Sequence, residues 1–272
     1  MTRLAGLSPR RRVLAALVAL IAVAVAAFGG VRLSHSANNS VTAYPTASRP
    51  SYVLLVPGYG GSTTALDQLA VRIRATGRVA TVVHLAGNGM GDLGVQAQVL
   101  NGYVNQAFQN GSGPVTVIGY SAGGVAAWLW DVNYGGATRA RRIITMGSPL
   151  HGTDLAALGA AFVPGECPVA CQQLVPGSSL LGTLLRSPAA DRPPWLSMWT
   201  TNDQVVQPPD SARLPGAVNV PLQSVCPGAV IQHGGLPTSP LVTGIVLQAL
   251  GNKPLAAPGP GQCRSLEALG SR

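Results

Sequence analysis

Gly119-Tyr120-Ser121-Ala122-Gly123 is reached through the apolar run Val115 to Ile118 and is followed by Gly124 and by Val125 to Trp130. The β-branched run after Gly113 and Pro114 predicts a strand, and the segment rich in alanine and tryptophan predicts a helix, so Ser121 falls on a strand-to-helix turn. Glycines two residues to either side leave room where a Cβ would collide with the neighbouring strand or helix. Such a turn exposes the serine hydroxyl. It also aims the first N–H groups of the new helix, that of Ala122 included, at whatever the serine oxygen attacks. The pentapeptide alone is equally a glycine-rich turn with a capping serine; the strand before it and the helix after it favour the nucleophile.

The same alternation extends in both directions. Tyr52 to Val56 is a continuous apolar run, as a strand buried on both faces requires, and Pro57-Gly58-Tyr59-Gly60-Gly61 ends it. Thr63 or Thr64 caps a helix through Leu66, Leu69, Val71 and Ile73 to Gly77, Val79 to Leu85 predicts a second strand, and Asp92 opens a helix over Leu93 to Phe108. Beyond Ser121, strands are expected at Arg142 to Met146, Met198 to Thr201 and Ala217 to Leu222. A last helix is expected over Leu236 to Leu250, its start delayed by Pro237 and Pro240. Strands alternating with helices demand parallel pairing through right-handed crossovers, so the expected fold is α/β, a doubly wound, mostly parallel sheet with helices on both faces. Chemistry in such sheets sits beyond the carboxyl ends of the strands. The long insertion from Pro149 to Pro194, ahead of the strand at Met198, reads as a cap over that end or as ordinary surface helices.

A serine hydroxyl needs a base within hydrogen-bond reach, and the base needs an acid to fix its tautomer. Of the four histidines, His35 lies in a polar segment, His84 ends a strand, and His151 follows Gly147-Ser148-Pro149-Leu150. His233, between the last strand and the last helix, is the expected base, with His151 the rival. The acid is expected after a strand between Ser121 and His233. Asp203, in Asn202-Asp203-Gln204-Val205-Val206, fits, with apolar neighbours to shield it; Asp210, in Pro208-Pro209-Asp210-Ser211, reads as a turn residue and is the alternative. Asp131 and Asp154 read as helix-end and N-cap residues. Two backbone donors should face the developing oxyanion, Ala122 N–H and, from the loop after the first strand, Tyr59 N–H, each worth about 3 kcal/mol in the transition state.

Length and charge bound the rest. The 272 residues suffice for one domain beyond an N-terminal leader. Residues 1–32 carry Arg3, Arg10, Arg11 and Arg12 before the uncharged run Val13 to Val31, the pattern of an export signal. Ala24-Val25-Ala26 offers a cleavage site, and residues 13–31 are close to the length of a membrane anchor; cleavage is the favoured outcome. Residues 33–50 read as a flexible linker and 51–272 as the catalytic domain. The formal charge of +9 does not indicate nucleic acid, because five arginines belong to the leader, leaving thirteen basic against nine acidic residues. Arg139, Arg141 and Arg142 read as a solvated face. Four cysteines in an exported chain favour pairing, Cys167 with Cys171 and Cys226 with Cys263, and their spacing does not suit zinc.

Taken together, Val56-Pro57-Gly58-Tyr59-Gly60-Gly61, Gly119-Tyr120-Ser121-Ala122-Gly123-Gly124, Gly147-Ser148-Pro149-Leu150-His151-Gly152-Thr153, Asn202-Asp203-Gln204-Val205-Val206, and His233 with Leu236 resemble the α/β-hydrolase superfamily. Within it they are most similar to the small secreted bacterial lipases and esterases of the class 2 type. The resemblance covers Tyr52 to Leu250 and departs at Pro57-Gly58, where those enzymes usually have His-Gly. It implies hydrolysis of carboxylic esters with apolar acyl chains, with Ser121 acylated, His233 acting as base and then acid, and Asp203 orienting it. It implies no metal or organic cofactor. An ester or lipid substrate is the expected partner, and a monomer the expected state. An acyltransferase would use the same residues, and a silent binding module would be expected to lack one of them.

Overall fold

The computed structural model describes residues 51–272; the leader, the linker and His35 lie outside the described residues. Six strands form one sheet in the order β2-β1-β3-β4-β5-β6: β1 (Tyr52–Val56), β2 (Val79–Val82), β3 (Val115–Tyr120), β4 (Ala140–Met146), β5 (Trp195–Trp199) and β6 (Val218–Pro221). Every pairing is parallel. The order reverses between β1 and β3, and the crevice at such a reversal is where ligands bind in open α/β sheets.

Alternation along β1 shows how both faces are covered. Leu54 and Val56 pack with Leu93, Ala97, Leu100 and Val104 of α2 (Leu93–Gln109) and with Val125, Trp128 and Leu129 of α3 (Ala122–Tyr134). Val53 and Leu55 point the other way, to Leu66, Leu69 and Ile73 of α1 (Thr64–Arg74) and, through the same core, to α7 (Pro240–Ala249). A strand flanked by helices on both faces has no polar side, which is why the run Val53 to Val56 is uninterrupted by polar residues. Asp92 caps α2 through Oδ1, which accepts from Gly94 N–H at 2.6 Å and Val95 N–H at 3.2 Å.

Several boundaries differ from the sequence reading. β2 stops at Val82, with one further ladder bond from Val83 N–H to the Leu55 carbonyl. β5 begins three residues before Met198, because Ile143 N–H bonds the Pro194 carbonyl and so brings Trp195 into register beside β4. The last long helix starts at Pro240, after a 3₁₀ stretch over His233–Thr238. A further helix, α8 (Cys263–Gly270), was not foreseen; it packs against α7, with the Gly244 and Gly270 backbones in close approach. The insertion folds as α4 (Asp154–Phe162), α5 (Val169–Gln173) and α6 (Ser179–Leu185). Leu181 and Leu184 of α6 join the core beside Trp128 and Trp195, as an ordinary covering helix would, whereas α4 and α5 lie over the carboxyl end of the sheet.

Both disulfides pair as expected, Cys167–Cys171 and Cys226–Cys263, and no free cysteine remains among the described residues. The arginine trio is not a solvated face. Arg139 donates to Asn101 Oδ1 at 2.7 Å, Arg141 to the Gly251 carbonyl at 3.1 Å, and buried Arg142 to the Ala249 carbonyl. Arg78 donates to the Leu250 carbonyl at 2.9 Å, so three guanidiniums cap the C-terminus of α7, where cations are favoured. Among the described residues no helix is long and apolar enough to cross a membrane.

Candidate active site

β3 ends at Tyr120, and Ser121 turns the chain directly into α3 with φ 53° and ψ −129°, a strained conformation for a residue with a side chain. Two hydrogen bonds hold it there: Ser121 N–H to the Met146 carbonyl at 2.9 Å, and Gly124 N–H to the Ser121 carbonyl at 2.9 Å. The flanking glycines are steric necessities. A Cβ on Gly119 would lie 2.5 Å from Gly124 Cα, and one on Gly123 would strike the carbonyl oxygen of Val56.

The sequence-predicted partners converge on that serine from three strand ends. His233 Nε2 lies 3.0 Å from Ser121 Oγ, and His233 Nδ1 lies 2.7 Å from Asp203 Oδ2. The other carboxylate oxygen, Asp203 Oδ1, accepts from Val205 N–H and Val206 N–H, both at 2.9 Å. The acid is therefore fully used: one oxygen faces the imidazole, the other is fixed by its own loop. Asp203 is 1% exposed, His233 7% and Ser121 8%. The expectation that the turn exposes the Ser121 hydroxyl is thus corrected; the turn opens into a cavity rather than into bulk water. In this arrangement Nδ1–H donates to the carboxylate, leaving Nε2 free to accept the serine proton.

The rivals lie elsewhere. His151 Nδ1 is 3.0 Å from the Ser211 carbonyl, the exposed Asp210 lies in a 3₁₀ turn over Pro209–Ala212, and exposed His84 follows β2. Asp154 is the first residue of α4 behind an N-cap at Thr153. Buried Asp131 near the end of α3 has its carboxyl raised to about 7 by burial, against the lowering pull of Arg192.

The loop after β1 lies against the Ser121 turn: a Cβ on Gly58 would be 2.8 Å from Ser121 Cβ. Among the described residues neither Tyr59 N–H nor Ala122 N–H has a hydrogen-bond partner. Ala122 is the first residue of α3, and Tyr59 follows Gly58 in the loop packed against Ser121.

Three supporting residues were not singled out from sequence. Tyr120 Oη–H donates to the His233 carbonyl at 3.2 Å, and its ring centroid lies 5.2 Å from that of the imidazole. Burial, and then the Asp203 charge, push its hydroxyl up to about 12, so it stays a donor. Gly147, at φ 56°, is close enough that a Cβ would lie 3.2 Å from His233 Nδ1 and 3.3 Å from Asp203 Oδ2. Thr153 Oγ1–H donates to the Val205 carbonyl at 2.7 Å and Oγ1 accepts from Gln207 N–H at 3.0 Å, tying the insertion to the Asp203 loop.

A cavity of about 170 Å³ opens beside Ser121, lined by Tyr59, Pro149, Leu155, Ala156, Leu174 and Val206 among others, and it is mostly apolar. A larger groove of about 510 Å³ lies between the end of α3 and α6 and has no nucleophile–base pair in its lining. The single grouping of potential metal ligands among the described residues, Cys226, Cys263 and Glu267, has its two sulfurs joined in a disulfide.

The sequence matches no protein-family model and no curated protein. Solved structures do match. Aspergillus fumigatus lipase B is 20% identical with a TM-score of 0.66 over 82% of this chain, which spans 56% of that longer protein. The mature form of Bacillus licheniformis lipase BlEst2 is 19% identical with a TM-score of 0.55, over 65% of this chain and 84% of that one. A structure from work on LipS and LipT, two metagenome-derived lipolytic enzymes, is 18% identical with a TM-score of 0.58, over 74% and 94%. The chain has the fold of these α/β hydrolases.

Proposed function

We propose that the protein is a serine hydrolase that cleaves carboxylic esters with apolar acyl chains through an acyl-enzyme. The observation that carries this reading is the continuous hydrogen-bonded path from Ser121 Oγ through His233 to the buried Asp203, ending in an apolar cavity. Ser121 Oγ attacks the acyl carbon as its proton passes to His233 Nε2. The carbonyl oxygen, now negative, is held by Tyr59 N–H and Ala122 N–H. Collapse breaks the bond to the alcohol, which leaves with the proton from Nε2. Water then attacks the acyl-serine, gives its proton to His233, and the carboxylic acid departs as the serine is restored. Asp203 keeps Nδ1 protonated and stabilises the imidazolium throughout.

The solved structures of similar fold named as lipases and lipolytic enzymes support the same reaction class. The surroundings of the cavity support the apolar acyl group: Leu155, which lines it, is 54% exposed, and Leu158 and Phe162 further along α4 are 55% and 78% exposed. Export by residues 1–32 is part of the same proposal, and two disulfides suit an oxidising compartment.

Labelling with a serine-directed phosphonate tests the reading. Native protein is expected to turn over nitrophenyl butyrate and to be labelled at Ser121. Ser121→Ala should lose both labelling and at least about 10³-fold of the turnover while its melting temperature changes little. Full activity in Ser121→Ala would overturn the proposal.

A further inference from the structure

Cys171 lines the cavity next to Ser121, and its disulfide partner Cys167 is buried behind it. The bridge rests on α4: Cys171 Sγ lies 3.9 Å from the Ala156 carbonyl oxygen, and a Cβ on Gly159, one turn further along, would lie 3.4 Å from Cys171 Sγ and 3.8 Å from Cys167 Sγ. The bonded pair of sulfurs is therefore a wedge between the two insertion helices that form one wall of the cavity.

Each helix is held by different means. α4 is fixed at its start, where Asp154 N–H bonds the Gln207 carbonyl at 2.8 Å and Thr153 bonds the Asp203 loop. α5 is five residues long, too short to be stable by itself, and is attached through Ala170 N–H to the Met90 carbonyl at 3.1 Å and through Gln173 to Leu93 and Asp92. One backbone bond joins the two helices, from Thr153 N–H at the start of α4 to the Leu174 carbonyl at the end of α5 at 3.0 Å. Further along, at Ala156 and Gly159, it is the sulfur pair that packs between them.

Resting on the reading of Ser121 as the nucleophile, we propose that the Cys167–Cys171 disulfide fixes the width of the acyl pocket and restricts the enzyme to short acyl chains. The volume gives the scale. At about 170 Å³ the cavity is well below the roughly 300–1,000 Å³ of pockets that take drug-sized ligands, a space suited to a short acyl chain. Closing so small a loop gives the bridge only a modest share in stability. Its position against both pocket helices gives it a share in selectivity.

The test is kcat/KM along a series of nitrophenyl esters from acetate to decanoate, for native protein, the Cys167→Ser/Cys171→Ser double variant, Ala156→Leu, and Cys226→Ser/Cys263→Ser. Native enzyme is expected to peak at butyrate or hexanoate. The Cys167→Ser/Cys171→Ser variant should raise the decanoate-to-butyrate ratio about tenfold, the smaller end of what one or two methylenes are worth in an apolar pocket. Ala156→Leu, which fills the cavity and leaves the bridge intact, should move the optimum toward acetate. Cys226→Ser/Cys263→Ser should keep the native profile even if less stable. A ratio within twofold of native in Cys167→Ser/Cys171→Ser, an unmoved optimum in Ala156→Leu, or a native peak at octanoate or beyond would overturn the inference while leaving ester hydrolysis standing. No turnover of any ester and no phosphonate label in native protein would overturn both.

Discussion

Ser121 holds a backbone conformation costing on the order of 1–3 kcal/mol, and two backbone hydrogen bonds and three close-packed glycines keep it there. That strain was foreseeable, because a serine between glycines at a strand-to-helix junction has few other reasons to carry them. His233 and Asp203 were legible for a similar reason: Asp203 lies just past β5, and His233 lies between the last strand and the last long helix, on the side of the sheet this topology leaves open. Tyr120 was not, since its part depends on a hydroxyl reaching the backbone of residue 233, far along the chain. Tyr120→Phe removes that bond and keeps the ring. With a buried hydrogen bond worth about 1 kcal/mol, kcat should fall about fivefold with KM little changed. A purely structural role would instead lower the melting temperature with kcat intact, and stopped-assay kinetics alongside calorimetry separates the two.

Helices and strands were placed from sequence wherever burial was thorough, as in β1 and α2, because a buried face writes its period into the residues. α8 left little trace. Of its eight residues only Leu266 and Gly270 are buried, and the preceding stretch is rich in proline. What holds α8 is the close backbone approach to α7 and the Cys226–Cys263 bridge, neither of which has a periodic signature. Chain-entropy reasoning gives that bridge, spanning 37 residues, about 4 kcal/mol, against about 2 kcal/mol for the bridge spanning 4. Cys226→Ser/Cys263→Ser should therefore lower the melting temperature clearly more than Cys167→Ser/Cys171→Ser. Equal shifts, or the reverse order, would mean that native packing rather than loop closure governs the tail.

Across the whole molecule, chemistry and scaffolding occupy opposite ends of the sheet. Ser121, Asp203, His233 and Tyr59 all follow carboxyl ends of strands, whereas Arg78, Arg141 and Arg142 cluster at the amino ends around the close of α7. Asp131, at the far end of α3 from Ser121, makes stability depend on pH. Its carboxyl titrates near 7 in the folded chain and near 4 in the unfolded one, so the folded state keeps a proton that the unfolded state gives up. The contribution of this carboxyl to stability is then greatest below about pH 4, falls as pH rises, and levels off above about 7. Asp131→Asn has no proton to lose; it should melt at a higher temperature than native protein at pH 8, with the two converging near pH 4. A gap that stays constant between those values would exclude Asp131 as the cause.

The strand that begins at Tyr52 runs toward the loop bearing Tyr59, so its starting end is the one remote from Ser121. A bead, a fusion partner or any other support coupled just ahead of that strand would hold the domain from behind. The mouth beside α4 would stay pointed outward, free to meet dissolved or dispersed molecules arriving from the surroundings.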